Sequence, residues 1–126
     1  MRRFEDIKAW QKARDLAKVF FELSQQEVFL KERHIRTQML RSAGSIMDNI
    51  AEGFERGGNK EFIQFLFIAK GSAGEFRSQL YRCKDFNMID EEKFSLLFGY
   101  SEEISKMTMA LIQYLKKSPL KGDKYS

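Results

Sequence analysis

Apolar residues recur along the chain at the three- and four-residue spacing of helices, and no stretch alternates as a strand does. Four helices are predicted. The first spans about Glu5 to Ser24, with acidic residues in its first turn and Ile7, Trp10, Ala17, Phe20 and Phe21 on its inner face; polar Gln25-Gln26-Glu27 ends it. The second spans about Glu32 to Glu55 and buries Ile35, Met39, Ala43, Ile46, Ile50 and Phe54. The third spans about Lys60 to Phe86, and the fourth about Asp90 to Lys117. In the fourth, Phe94, Leu97, Ser101, Ile104, Thr108, Leu111 and Leu115 form the nearly heptad repeat of left-handed bundle packing. The third is different: Phe62, Ile63, Phe65, Leu66, Phe67 and Ile68 point almost all round the helix at roughly 100° per residue, more than one core can bury. A second apolar contact outside the monomer is therefore predicted, with Ile63 and Phe67 as candidate interface residues.

The segment SIMDNIAEGFERGGNKEF, Ser45 to Phe62, joins the second and third helices. Asn49 and Glu52 lie close to its apolar face. Gly57, Gly58 and Asn59 can take the backbone conformations that end a helix, and Asn59 can cap the next one. A loop this tight sets residues whose numbers add to about 115 opposite each other. Ser42 and Ser45 then face Gly74 and Gly71, which would let the two backbones approach, and Arg41 falls near Glu75 as a potential ion pair.

Three blocks in order, FEDIKAWQKARDLA (Phe4 to Ala17), QMLRSAGSIMDNIAEGF (Gln38 to Phe54) and KEFIQFLFIAKGSAGEFRSQL (Lys60 to Leu80), resemble the 23S ribosomal RNA intervening-sequence protein family of small bacterial four-helix proteins. Nearly the whole chain is covered. Two positions depart from the family pattern: Met47 stands where a proline is usual, and Gln64 where an arginine is common. The resemblance implies an all-α fold, an antiparallel up-down-up-down four-helix bundle, assembled into a ring-like pentamer. It implies no activity, because the family is named for the position of some of its genes inside intervening sequences of ribosomal RNA genes. A more distant fold-level analogy is the accessory variability protein of diversity-generating retroelements, a basic pentamer that engages a reverse transcriptase and RNA.

The 126 residues suit one domain, a bundle over 1–117 followed by a basic irregular tail, 118–126, which holds the only proline, Pro119. The formal net charge of +4 lies largely in that end of the chain, where Lys116, Lys117, Lys121 and Lys124 face only Asp123. The body is nearly neutral. No apolar run approaches the roughly 20 residues of a membrane span, and Met1-Arg2-Arg3-Phe4-Glu5-Asp6 is acidic where a signal peptide would be apolar, so a cytoplasmic protein is expected. In an up-down-up-down bundle Arg2, Arg3, Arg56, Lys60, Lys116 and Lys117 share the pole of the termini with Lys121 and Lys124. Lys31, Arg33, Arg36 and Arg41 mix at the other pole with Asp85, Asp90, Glu91 and Glu92, so an anion-binding surface is predicted at the terminal pole.

His34 is the only histidine and Cys83 the only cysteine, too few for a conventional zinc or di-iron site, and Cys83 sits near a helix end that offers nothing to lower its pKa. Asn49, Glu52, Glu61 and Glu75 could form a carboxylate constellation, yet no nucleophile, phosphate loop or metal motif accompanies them; Arg41, Asn49, Glu52 and Glu75 are read as structural polar residues. Trp10, Tyr114 and Tyr125 are possible stacking groups outside any known RNA module. The reading that follows is a non-enzymatic oligomeric scaffold or adaptor without cofactor or metal, associated with RNA or with a protein partner. The alternative is a direct RNA-binding protein acting on ribosomal RNA or its precursor, through Arg2, Arg3, Arg56, Lys60 and the lysines of the C-terminal end.

Overall fold

The computed structural model describes residues 1–118, and every regular element among them is helical. A 3-10 turn at Phe4–Asp6 precedes α1 (Lys8–Leu23), α2 (Glu27–Lys31), α3 (Arg33–Glu55), α4 (Asn59–Asp85) and α5 (Glu91–Lys117). The four long helices form one bundle in which α3 packs on α1 and α4, and α5 packs on α4 and α1. Phe20, Phe29, Phe54, Phe62 and Phe76 are fully buried in its core. Phe20 meets Phe76 edge-on at 5.3 Å between centroids, linking α1 to α4 through the interior. Of the predicted tail 118–126, only Ser118 falls within the described residues.

The N-terminal helix departs most from the sequence pattern. Ile7 is buried in extended backbone (φ −76°, ψ 122°), so the chain turns before α1 begins, and Gln11 Nε2 donates to Glu5 O at 2.8 Å to hold that turn. The inward stripe of α1 is Ala9, Ala13, Leu16, Phe20 and Leu23. Trp10 is half-buried, edge-on to Phe4 at 5.2 Å, while Phe21, predicted inside, is 55% exposed. The alanines give a faint hydrophobic signal, but their small side chains let α1 lie close to its neighbours, and that contact sets its rotation.

α2 was not predicted, because five residues are too few to show a period. Its Phe29 is fully buried and meets Phe20 edge-on at 5.5 Å, closing the core at that end. Glu32 (φ −105°, ψ 67°) breaks the helix before α3, and Arg36 Nε donates to Ser24 O at 2.9 Å, tying α3 to the end of α1. In α3 all six predicted core positions, Ile35, Met39, Ala43, Ile46, Ile50 and Phe54, are buried. In α5 the heptad holds except that Ile112 is buried where Leu111, half-buried, was predicted.

α3 and α4 run antiparallel through a tight link in which Gly57 has φ 94°, a conformation that favours glycine. Their register is shifted from the predicted one. Ser42 donates to Gln79 Oε1 at 2.6 Å, Ser45 and Ser72 share a hydrogen bond at 2.9 Å, and Arg82 donates to Gln38 at 2.9 Å. Gly74 and Gly71 therefore do not serve as the close approach: a Cβ added at either meets nothing within 4 Å. The close approach is at Gly53, where an added Cβ would lie 2.5 Å from Phe65 Cβ. The same shift separates Arg41 from Glu75. Arg41 is exposed, Glu75 accepts from Gln79 Nε2 at 3.5 Å, and no Arg41–Glu75 ion pair forms among the described residues.

The far end of α4 closes with Asn87 in the left-handed region (φ 58°), Met88 N donating to Cys83 O at 2.8 Å and Asn87 N to Lys84 O at 3.1 Å. Asp90 then caps α5 by accepting from Lys93 N at 2.8 Å. α4 and α5 are antiparallel as well, since Asn59 reaches Leu115, Arg77 reaches Ser105 and Tyr81 packs on Phe94.

Gly53→Ala is expected to destabilise the protein by about 1–3 kcal/mol through overpacking against Phe65. Gly99→Ala, where an added Cβ meets nothing within 4 Å, is expected to be neutral or stabilising by up to about 1 kcal/mol. Urea denaturation of both variants measures this, and a Gly53→Ala midpoint equal to that of the parent would refute the close approach.

Candidate functional site

The terminal pole is built where α4 starts and α5 ends. Gly58 is the extended cap residue of α4 and, being glycine, offers no side chain to cap its first-turn amides. Asn59 does not cap, contrary to expectation. Its side chain turns inward, 7% exposed, and Nδ2 donates to Leu115 O at 3.1 Å, which also accepts from Ser118 N at 3.2 Å. Asn59 thereby gives a second donor to a carbonyl in the last turn of α5 and ties the two helix ends together. Its own Oδ1 is buried without a hydrogen-bond partner among the described residues. Beside it lies a cleft of about 500 Å³ lined by Asn59, Lys60, Glu61, Ile63, Lys116 and Ser118, among others.

The basic residues predicted at this pole differ in what occupies them. Arg56 donates to Glu52 at 2.7 Å and lies over the Phe65 ring at 5.0 Å, and Arg3 lies 3.8 Å from Glu5 and 3.5 Å from Asp6. Lys116 Nζ sits 5.7 Å from the centre of the Phe67 ring. Arg2, Lys60 and Lys117 are exposed and form no ion pair among the described residues. Lys121 and Lys124 lie outside the described residues, as does Tyr125. Arg56 and Arg3 thus spend part of their charge locally, which sequence position could not reveal.

At the other pole Arg33, His34, Arg82 and Phe86 line a cleft of about 300 Å³. His34 is exposed, and no group of three or more metal-ligating side chains occurs among the described residues. The polar residues considered for chemistry do not converge: Asn49 Nδ2 donates to Ser45 O at 2.8 Å and Oγ at 2.9 Å, Glu52 holds Arg56, and Glu61 is exposed on the first turn of α4. Sequence reading missed Ser72 and Gln79, both buried on the α3-facing side of α4. Their only signal is their spacing from Phe76 along the same face.

Cys83 is fully buried with its thiol 3.3 Å from Met39 Sδ. Burial pushes its pKa up to about 11, partly offset by the nearby Arg82 charge. The thiolate is thus suppressed at neutral pH, the opposite of what a nucleophile needs. No helix of the described residues is long and apolar enough to cross a membrane.

A family model described as 23S rRNA-intervening sequence protein matches residues 5–110. Among solved structures, the chain is similar to a Bacteroides thetaiotaomicron VPI-5482 protein of unknown function from the S23 ribosomal protein family. The two share 26% identity and a TM-score of 0.77, over 83% of this chain and 95% of that one. No curated protein matches.

At pH 8 Cys83 of the native protein is expected to react with a thiol-specific disulfide reagent on the order of a hundredfold more slowly than after unfolding in urea. Because the unfolded thiol ionises first as pH rises, this group removes stability between its ordinary value of 9.0 and about 11. Equal native and unfolded reaction rates would overturn the buried placement.

Proposed function

The chain belongs to the 23S rRNA-intervening sequence protein family, and from that premise we propose that it is a non-enzymatic oligomeric scaffold or adaptor of the cytoplasm that associates with RNA. The reading takes the four long helices as an up-down-up-down bundle whose copies close into a ring, a pentamer by family resemblance. One observation carries the oligomer. Phe67 and Ile68 are 45% and 51% exposed on α4, and Gly71, one turn on, has open space where a side chain would be. A glycine inside a helix costs about 1 kcal/mol relative to alanine, and nothing among the described residues uses the room at Gly71. A second copy laid on this face would cover the two apolar side chains and use the small residue for close approach. Ile63, half-buried beside the cleft, borders the same surface.

The RNA association is supported by Arg2, Lys60 and Lys117, exposed at one pole and without an ion pair among the described residues; Arg3, Arg56, Lys116, Lys121 and Lys124 complete the proposed contact set. A ring would repeat this pole once per copy, turning weak phosphate contacts into an avid surface. That repetition is what a scaffold needs. The alternative, direct and tight recognition of ribosomal RNA or its precursor by one chain, rests on the same cations.

Light scattering coupled to size-exclusion chromatography is expected to give a mass of several chains for the parent, and a lower mass for Phe67→Ser/Ile68→Ser with helicity retained. A parent mass of one chain at all concentrations would sink the oligomer. Binding of ribosomal RNA fragments over a salt series is expected to weaken in Arg2→Ala/Lys117→Ala, with the log–log slope flattened by about 0.7–0.9 per lost contact. An unchanged slope would refute this placement of the RNA surface. No RNA binding by the parent would leave a protein-binding adaptor.

A further inference from the structure

The cleft of about 300 Å³ between the start of α3 and the end of α4 combines two guanidinium groups with Phe86, the most exposed large apolar side chain of the described residues. Arg33 and Arg82 line it from different helices, and neither forms an ion pair among the described residues, although Glu32 stands on the same wall. Two like charges sharing a concavity repel, and an anion between them removes that repulsion. Arg82 is also aimed. It donates to Gln38 Oε1 at 2.9 Å, which spends one N–H of the planar fork and leaves the others for a ligand. Phe86 is 62% exposed, while Ile35, 7% exposed, gives the cleft an apolar floor. A flat partner laid on the Phe86 ring would take its apolar surface out of water.

A small inorganic anion would pair with the arginines and leave Phe86 in water. An apolar side chain would cover Phe86 and leave the arginines unpaired. A nucleobase joined to a phosphate answers both, since every base has a flat face for an aromatic ring and guanidinium forks match phosphate oxygens. The same chemistry continues along the last turns of α4, where Arg77, Tyr81, Arg82, Lys84 and Phe86 interleave cations with rings. Tyr81 is 50% exposed and packs edge-on against Phe94 at 5.5 Å and Phe98 at 5.7 Å. Lys84 Nζ lies 4.6 Å from the centre of the Phe94 ring, and the Arg77 guanidinium 6.0 Å from that of Phe98. A supported ring with cations beside it, on the same helix end as the cleft, fits a chain of bases and phosphates better than one free nucleotide. We propose that this end of the bundle binds single-stranded nucleic acid: one base stacks on Phe86, its phosphate pairs with Arg33 and Arg82, and a neighbouring base reaches Tyr81. Glu32 on the wall, exposed Asp85 next to Phe86, and Glu91, 3.4 Å from Lys84, oppose the strand and keep each contact weak. That the strand is RNA rests on the RNA-associated reading above; the site itself does not, and it lies at the opposite pole from the cations named there.

The test is a titration of the full chain with a single-stranded oligoribonucleotide of about ten residues, read by fluorescence anisotropy for affinity and by heteronuclear NMR for location. The same strand as a duplex, adenosine 5′-monophosphate and N-acetyl-leucine are titrated beside it. The Phe86 and Tyr81 ring signals and the Arg82 Nε–H are expected to shift with the single strand. Phe86→Ala is expected to weaken binding about five- to a hundredfold, with Phe86→Trp restoring it, and Arg33→Ala to flatten the log–log salt slope by about 0.7. Both positions are exposed, so the rest of the spectrum should be retained, and Glu32→Gln should tighten binding. Tyr81→Ala should weaken the strand and leave the monophosphate unchanged. A monophosphate bound as tightly as the strand, with Tyr81→Ala without effect, overturns the strand in favour of a free nucleotide. Equal affinity for the duplex, whose bases are already stacked, overturns the proposal, as does full affinity in both Phe86→Ala and Arg33→Ala or no binding of the single strand at millimolar protein. Cleft signals that shift with N-acetyl-leucine but not with the strand assign the cleft to a protein's terminal carboxylate and overturn it too. If ribosomal RNA fragments bind and lose affinity only in Arg2→Ala/Lys117→Ala, the terminal-pole reading stands and this site fails. If the single strand binds here while Arg2→Ala/Lys117→Ala leaves ribosomal RNA binding unchanged, this site stands and the terminal-pole placement fails.

Discussion

The bundle depends on how closely α3 and α4 approach where the chain reverses at Gly57 and Gly58. Gly53 gives up its side chain so that Phe65 can lie against the α3 backbone, with an added Cβ at 2.5 Å from Phe65 Cβ. That contact sets the rotation of α4. With Phe65 turned to α3, Phe62, Leu66, Ala69, Ala73 and Phe76 point into the core, while Phe67 and Ile68 are left on the outside. Further along, the Ser45–Ser72 and Ser42–Gln79 hydrogen bonds keep the register, because a slip would leave several buried polar groups without partners. Packing and polar satisfaction thus agree on one arrangement, which is the condition for a unique fold.

The two ends of the bundle are closed by different means. At the far end Phe29 seals the core from a one-turn helix, Met88 tucks under the end of α4, and Asp90 starts α5. At the terminal end a buried amide does the closing, as Asn59 ties the first residue of α4 to the last turn of α5. An apolar plug completes its own packing. An amide does not: once Nδ2 is spent on a carbonyl, Oδ1 still needs a donor, so this end retains an unmet polar demand.

Charge follows packing in the same way. Arg56 is held by Glu52 and by the Phe65 ring, the residue that Gly53 admits, so the hairpin seam that orders the core also orients a surface arginine. Lys116 over Phe67 links the basic end of α5 to the exposed apolar face of α4.

Much of the fold was legible in the sequence. The spacing of Ile35, Met39, Ala43, Ile46, Ile50 and Phe54 specified the inner face of α3, the near-heptad did so for α5, and Gly57-Gly58 marked the reversal, because periodicity and glycine conformational freedom are local properties. The three blocks also carried the family. Only the tertiary structure decided between Phe20 and Phe21 on α1, since both are equally apolar and the choice belongs to the helix packed beside them. It also decided that Gly53 is the packing glycine while Gly71 and Gly74 face open space, and that Asn59 reaches Leu115 instead of capping α4. A glycine or an asparagine has the same local propensities in either role; what distinguishes the roles is a neighbour more than fifty positions away along the chain for Asn59, and such a neighbour exists only once the helices have packed.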